Sequence, residues 1–374
     1  MVDFCFLRCY TLCMDKNNVS RMLYYVYGGD LPMKKARKFV AALTVCAMAF
    51  TLTACGGGNA NKETNADASA EPVVLKLATT VNEQDSFQIA AEKFAELVAE
   101  RTDGAYTIEI HPNGELGDES DMLSSMAAGE LDMGIVTSGP FVNYAPEMGV
   151  LDMPFLFGSN EEAYAVLDGE VGQELLGTLE SANLKGLAYA ERGFRNLTNS
   201  VRPVTNVADM QGLKLRVMEN EVYAKTFAAL GANATPMAWQ ETLTALQNGT
   251  IEGQENPVNV ICSYTLWESN QKYATLTRHS YSTAIITMSL DKFNALPEDV
   301  QTIFKESAQE AAEFERAWVG ENEATQLQQM KDNGMEVVED PDLDSFKAAV
   351  QPVYDAYPQY ADYLARIQEV TDAM

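Results

Sequence analysis

Residues 211–220, QGLKLRVMEN, alternate apolar and polar side chains, which puts Leu213, Leu215 and Val217 on one face of a strand and Lys214 and Arg216 on the other. Read alone, Arg216 is an ordinary charge on the wet face of a half-buried strand. Other chemistry is sparse. The two histidines, His111 and His279, have no Cys-His or His-Glu spacing suited to zinc, and a lone histidine more often packs or sits at the surface than ligates. No Gly-x-Ser-x-Gly elbow and no Gly-x-x-x-x-Gly-Lys phosphate loop is present. Paired carboxylates could serve a glycosidase, but among 54 acidic residues a pair is guaranteed somewhere and carries no signal without geometry. No catalytic residue, metal site or cofactor is expected.

The elements that must position Arg216 are bounded by size and charge. At 374 residues the chain exceeds what one hydrophobic core usually serves, so two lobes are expected. The 54 acidic and 26 basic residues give a net charge of −28. That balance argues against nucleic acid or an anionic membrane surface as partner, because both reward clustered Lys and Arg. Five of the six cysteines precede residue 56, which excludes a disulfide framework in the folded body. The sixth, Cys262, reads as a buried small residue rather than a reactive thiol.

The front of the chain reads as an export signal. Lys34, Lys35, Arg37 and Lys38 form a basic region, and Phe39 to Leu52 an apolar segment too short for a membrane-spanning helix. The segment ends in Leu52-Thr53-Ala54-Cys55, which resembles a bacterial lipobox, so Cys55 is the expected lipidation site and the new N-terminus. Residues 1–32 stand upstream of a signal that should open the chain, so Met33 is read as the true start. Residues 33–54 are the signal peptide, and 55–72 a flexible Gly/Asn/Ala tether. Beyond the signal the body is more acidic still, since the first 54 residues hold seven basic and three acidic side chains.

Within the body, VVLKLA from Val73 reads as a first strand. A helix follows, capped by Asp85, with Phe87, Ala90, Ala91, Phe94, Leu97 and Val98 on one stripe and Gly104 beyond its end. AYTIEI then closes a strand–helix–strand unit of the kind that builds a parallel sheet, and similar alternation continues to about residue 290. SSMAAGELDMGIV and LTALQNGTIEGQEN each read as a helix ending at a glycine, Gly129 or Gly249, and turning directly into a strand. Two such units suggest two lobes of related design, although helix–Gly–strand turns are common in any α/β protein. From Pro297, the residues Val300, Phe304, Ala308, Ala311, Ala312 and Trp318 recur at helical spacing until Asn333-Gly334. A helix of that length either breaks near Gly320 or lies across both lobes as a spine.

Exported, anchored, bilobed and without catalytic equipment, the body reads as a receptor that captures a small molecule between its lobes. Three pieces give that reading a family. LGDESDMLSSMAAGELDMG, ERGFRNLTNSVRPVTNVADMQGLKLRVMEN and LGANATPMAWQETLTALQNGTIEGQENP resemble the DctP-type solute-binding proteins of TRAP (tripartite ATP-independent periplasmic) transporters, over about residues 73–374. The resemblance implies an α/β, two-lobed periplasmic-binding-protein-like fold with mixed sheets, hinge strands and a long C-terminal helix spanning both lobes. Lobe I is then 73–192 plus 282–322, and lobe II 193–281 plus 323–374. It also implies a monomeric extracytoplasmic receptor, periplasmic or at the cell surface. Its partners are an organic acid ligand, the small and large membrane subunits of the transporter, and the membrane through the lipid anchor.

The family's carboxylate-binding arginine falls on Arg216, whose planar guanidinium can meet a carboxylate with two parallel bonds that lysine cannot reproduce. A second family arginine falls on Arg195, with a structural salt bridge as the alternative. The family's carboxylate-bonding asparagine falls on Asn256, and its aromatic wall on Trp239, which could equally be ordinary core. In the sialic-acid branch the ligand-facing positions match Thr80, Thr137 and Pro140 here, and those residue types make sialate a poor fit. Glu119 could bond ligand hydroxyls, which favours a uronate or other sugar acid; a C4-dicarboxylate would want a second cation, for which Arg195 is the candidate. A ligand-sensing protein for a signalling partner and an anchored carbohydrate hydrolase remain the competing readings.

Overall fold

The computed structural model describes residues 71–374. The expected extension, the signal peptide, Cys55 and nearly all of the tether lie outside the described residues. The chain runs β1 (Val73–Ala78), α1 (Ser86–Arg101), β2 (Tyr106–His111), α2 (Glu119–Ala127), β3 (Met133–Thr137), α3 (Ser138–Phe141), α4 (Asn160–Leu167), α5 (Glu170–Thr178) and the long β4 (Leu184–Asn199). Then come β5 (Lys214–Val217), α6 (Glu221–Ala229), β6 (Asn233–Pro236), α7 (Trp239–Gln247), β7 (Gly253–Pro257), α8 (Val258–Ser263) and the long β8 (Tyr273–Ser289). It ends with α9 (Leu290–Asn294), α10 (Glu298–Asp332), β9 (Glu336–Val338), α11 (Leu343–Ala349), α12 (Gln351–Asp355) and α13 (Ala361–Asp372).

Local signals place the first unit. The Asp85 side chain accepts from the Phe87 N–H at 3.1 Å and caps α1, and all six residues of the expected stripe are buried. β1 pairs in parallel with β2, as a strand–helix–strand unit requires. At the ends of α2 and α7, Gly129 (φ +76°) and Gly249 (φ +68°) take the left-handed conformation. In both turns the glycine N–H bonds back three residues, and the N–H that follows bonds back five, to Ser125 O at 2.8 Å and Ala245 O at 3.0 Å. That is the Schellman pattern, and it delivers the chain into β3 and β7.

These paired turns belong to two related halves of a single nine-stranded mixed sheet, ordered β2-β1-β3-β8-β4-β7-β5-β6 with β9 on β8. β1, β2, β3 and β8 in one half correspond to β5, β6, β7 and β4 in the other. The sheet is continuous because β4 and β8 cross from half to half. Their antiparallel register slips between Glu191 and Phe194 and again between Arg195 and Leu197, with Gly193 at φ +82° and Arg278 at φ +45°. The slips lie within residues 191–197 of β4 and 275–283 of β8.

α10 runs unbroken through Gly320 for 35 residues, about 52 Å. Val300, Phe304, Ala308, Ala311 and Ala312 join the core between α1 and the first half of the sheet, while Met330 and Leu327 join the core of the second half. It is therefore the spine. Its buried face continues through Glu315, Arg316 and Val319 rather than Trp318, which is only half-buried.

The tail departs from expectation. α11 and α12 pack on the second half, but the Tyr360 hydroxyl donates to Pro146 O at 2.9 Å, and α13 packs on α4 and α5 of the first half. Residues 323–374 thus do not all belong with lobe II, because the stripe formed by Leu364, Ile367 and Val370 finds its apolar partner on lobe I.

Candidate functional site

β5 lies between β7 and β6, with Leu215 and Val217 fully buried on one face and Lys214 exposed on the other. The alternation read from the sequence holds, but Arg216, unlike Lys214 on the same face, is not wet: it is 5 % exposed. The Nε–H donates to Met237 O at 2.8 Å, just past β6, and the guanidinium lies 5.6 Å from the Trp239 ring. Neither Nη1 nor Nη2 donates to a protein group among the described residues, and no carboxylate there forms an ion pair with Arg216. Burial pushes this guanidinium down to about 10, with repulsion from Arg195 adding to the effect and Glu255, Glu119 and Glu219 offsetting part of it. It remains a cation at neutral pH, desolvated and without an anion.

The guanidinium borders a narrow pocket of about 20 Å³, lined also by Asp118, Glu119, Pro140, Met218, Glu219, Ala238, Trp239 and Gln240. Asp118 and Glu119 come from the start of α2, where Asp118 caps the helix by accepting from the Asp121 N–H at 2.9 Å. Trp239 and Gln240 open α7, and Trp239 meets Tyr264 edge-on, with centroids 5.0 Å apart. The Tyr264 hydroxyl in turn accepts from the Asn82 N–H at 3.0 Å, which ties this wall to the segment after β1. Glycines permit the close approach of the two sides. A Cβ on Gly139 would stand 2.7 Å from Met218 Cε, and one on Gly114, at φ +68°, 2.6 Å from Gln240 Nε2.

Of the expected ligand-facing residues, Arg216, Trp239 and Glu119 line the pocket. Thr137 stands directly behind Glu119, donating its N–H to Oε1 at 2.9 Å and its hydroxyl to Oε2 at 2.5 Å. Three others do not border it. Arg195 is 1 % exposed and committed to Glu255: Nε–H donates to Oε2 at 2.5 Å, Nη2–H to Oε1 at 2.8 Å and to the carbonyl at 2.7 Å. Nη1–H donates to Ser282 Oγ at 3.1 Å. The structural salt bridge is thus the reading that fits Arg195. Asn256 donates to Gln254 Oε1 at 2.5 Å within a buried amide–hydroxyl chain that continues to Thr198 and Gln271. Thr80 is buried where residues 79–81 extend the β1–β2 pairing.

The layer behind the pocket is polar and paired. Burial alone would raise the Glu255 carboxyl, but Arg195 and His279 hold it at about 2, and His279 Nε2 lies 3.0 Å from its Oε2. His279 is accordingly a packing residue. Cys262 is buried, with its thiol donating to Gln326 O at 3.2 Å and pushed up to about 12 by burial, so it is inert. No group of three or more His, Cys, Asp or Glu among the described residues could hold a metal ion. A larger groove of about 700 Å³ between α5, β4 and α10 holds none of the expected residues, and its Lys185 is already paired with Glu180 at 2.5 Å.

Sequence reasoning missed Asp118, Glu219, Met218 and Gln240. Asp118 carried a signal, since Gly-Asp-Glu-Ser before an apolar stripe is a helix cap, and caps place side chains at helix mouths. Glu219 and Met218 follow β5 directly, yet nothing local distinguishes them from loop residues.

Residues 77–360 match the family described as bacterial extracellular solute-binding protein, family 7, DctP. The chain is 38% identical over 301 residues to the 2,3-diketo-L-gulonate-binding periplasmic protein YiaO of Escherichia coli (strain K12), spanning 79% of this chain and 92% of that one. Two TRAP periplasmic solute-binding proteins of known structure are similar throughout. That of Polaromonas sp. JS666, bound to D-erythronate, has 38% identity and a TM-score of 0.77, covering 79% of this chain and 98% of its own. That of Roseobacter denitrificans OCh 114, with bound L-galactonate, has 35% identity and a TM-score of 0.75, covering 79% and 99%. No helix among the described residues is long and apolar enough to cross a membrane. A two-lobed body, a buried unpaired arginine at a pocket and this breadth of similarity agree: the chain belongs to the DctP family, the non-enzymatic solute-binding proteins of TRAP transporters.

Proposed function

We propose that the protein is an extracytoplasmic receptor that binds a sugar-acid anion through Arg216 and delivers it to the membrane subunits of a TRAP transporter. The observation that carries this reading is the Arg216 guanidinium, almost fully buried, bordering a pocket, with neither Nη group bonded to a described protein group and no described carboxylate paired to it. An unpaired buried cation is costly, and it is kept where an incoming anion satisfies it. With Nε–H committed to Met237 O, a ligand carboxylate would accept two bonds from the Nη1 and Nη2 N–H groups, each charge-assisted bond being worth about 1.5–3 kcal/mol. Trp239 supplies an apolar wall, and Glu119, oriented by Thr137, accepts from ligand hydroxyls. Arg195 and Asn256 act one layer back, holding β4 and β7 in register beneath the site. Relatives bound to erythronate and galactonate support a hydroxylated acid as ligand.

The chain's charge of −28 repels an anion at long range, so capture rests on this single local cation, where water is excluded and screening is weak. Lobe I (73–192 plus 282–322) and lobe II (193–281) bend against each other at the register break in β4 and β8, and the closed form is what the membrane subunits recognise. Cys55 carries the lipid that keeps the receptor at the membrane.

Thermal-shift titration of the purified full chain tests the clamp. Galactonate should stabilise it, galactonamide should not, and Arg216→Ala should abolish the shift while leaving the unliganded fold intact. Equal shifts for acid and amide would overturn the reading.

A further inference from the structure

We propose that Asp118 and Glu219 are specificity residues that exclude a second carboxylate, so that the pocket accepts a polyhydroxylated monocarboxylate and rejects the dicarboxylate of the same carbon skeleton. This rests on the reading of Arg216 given above and goes further, to the other end of the ligand.

The charges lining the pocket are one cation, Arg216, and three carboxylates, Asp118, Glu119 and Glu219. Arg195 cannot add a second positive charge, because Glu255 neutralises it in the layer behind. The first ligand carboxylate consumes the only guanidinium, and a second would meet negative charge without compensation. The hydrogen-bonding capacity of the lining points the same way. Glu119 already accepts twice from Thr137, and Asp118 Oδ1 accepts from the Asp121 N–H. Asp118 Oδ2 and both oxygens of Glu219 accept nothing among the described residues. With Glu219 exposed and Asp118 half-buried, these oxygens are open to donors from a ligand. A hydroxyl has a proton to give, and an ionised carboxylate has none.

Position completes the case. Asp118 stands at the mouth of α2 and Glu219 two residues beyond β5, so they reach the pocket from its two sides. They are near enough that Asp118 adds to the effect of burial in raising the Glu219 carboxyl. A ligand hydroxyl between them would bridge the two sides and relieve their repulsion, whereas a carboxylate there would add a third like charge. Like-charge juxtaposition is an effective way to reject a wrong partner, and it strengthens as a bound ligand displaces water from these side chains.

Calorimetric titration of the full chain with matched pairs tests this. Galactonate and galactarate differ only in whether C6 is a hydroxymethyl or a carboxylate; erythronate and meso-tartrate are the four-carbon pair. At neutral pH each dicarboxylate should bind at least about 100-fold more weakly than its monocarboxylate. Glu219→Gln should narrow the ratio about tenfold, and Asp118→Asn with Glu219→Gln should narrow it further, since asparagine preserves the helix cap. Glu219→Lys should favour the dicarboxylate. Wild-type binding of a dicarboxylate within about threefold of its partner, or an unchanged ratio in the folded double variant, would overturn the exclusion while leaving the Arg216 clamp standing. Failure of both monocarboxylates to bind, or their binding undiminished in Arg216→Ala, would instead overturn the clamp, and this inference with it.

Discussion

Arg195 and Glu255 meet diagonally across the β4–β7 ladder, joined by two guanidinium–carboxylate bonds of 2.5 and 2.8 Å, both side chains essentially without solvent contact. Removing one partner strands the other's charge in the interior, so Arg195→Ala should cost about 3–5 kcal/mol in denaturant unfolding. The pair also sets an acid limit. With its carboxyl held at about 2, below the ordinary glutamate range, Glu255 contributes stability that is complete above pH 4.5 and drains away as pH falls toward 2. Glu255→Gln should flatten that acid limb, as read from unfolding midpoints between pH 2 and 5.

Arg216 should behave in the opposite way. Its desolvated guanidinium has no ionic partner among the described residues, so Arg216→Met, which keeps the volume and discards the charge, should raise the stability of the unliganded protein by about 1–2 kcal/mol while abolishing acid binding. A destabilised Arg216→Met protein would mean that the arginine is structural. Arg216→Lys should fold and bind weakly, since an ammonium cannot form the paired bonds.

What the sequence made legible was what neighbouring residues decide. Asp85 caps α1, Pro297 and Asn333-Gly334 bracket α10, and Gly129 and Gly249 turn two helices into two strands, all through contacts within a few positions in the chain. Arg216 was legible as a type in a strand pattern, and its role only through family likeness. The fate of Arg195 depended on register: Leu197 pairs with Glu255, and only that alignment brings a carboxylate 60 residues away onto the guanidinium. The crossing strands were hidden for a related reason, because Glu191, Arg192 and Gly193 interrupt the apolar pattern of β4 where it bends.

The tail clasps both halves, and cutting it should show this. Ile367 is buried, Leu364 and Val370 pack beside it, and Arg366 and Tyr363 both bond Glu174 of α5, at 2.7 and 3.0 Å. Truncation after Tyr360 should cost about 3 kcal/mol, mostly from lost apolar burial, and lower the melting temperature by several degrees. Sugar-acid affinity, measured below the melting transition, should change little, since no tail residue lines the pocket.

At the bend of β4, the Glu191 N–H donates to Glu315 Oε2 of the spine helix at 3.1 Å, and the Tyr164 hydroxyl donates to Glu191 Oε1 at 2.8 Å. Glu191 Oε2 and Glu315 Oε1 are buried without a partner among the described residues. Burial raises both carboxyls, Glu191 to about 7, and for Glu315 the charge of Glu191 adds to the rise; Arg316 moderates both. Folding therefore binds protons here. The stability this confers is complete in acid, below the ordinary glutamate value, and is lost as pH rises through about 7. Urea unfolding at pH 6 and pH 8 should show the wild type weaker at pH 8, after allowance for other groups, and Glu315→Gln should recover about 2 kcal/mol at pH 8 because its amide has a proton to give and no charge to bury. A variant as pH-sensitive as the wild type across that window would show that the pair is not what holds the proton.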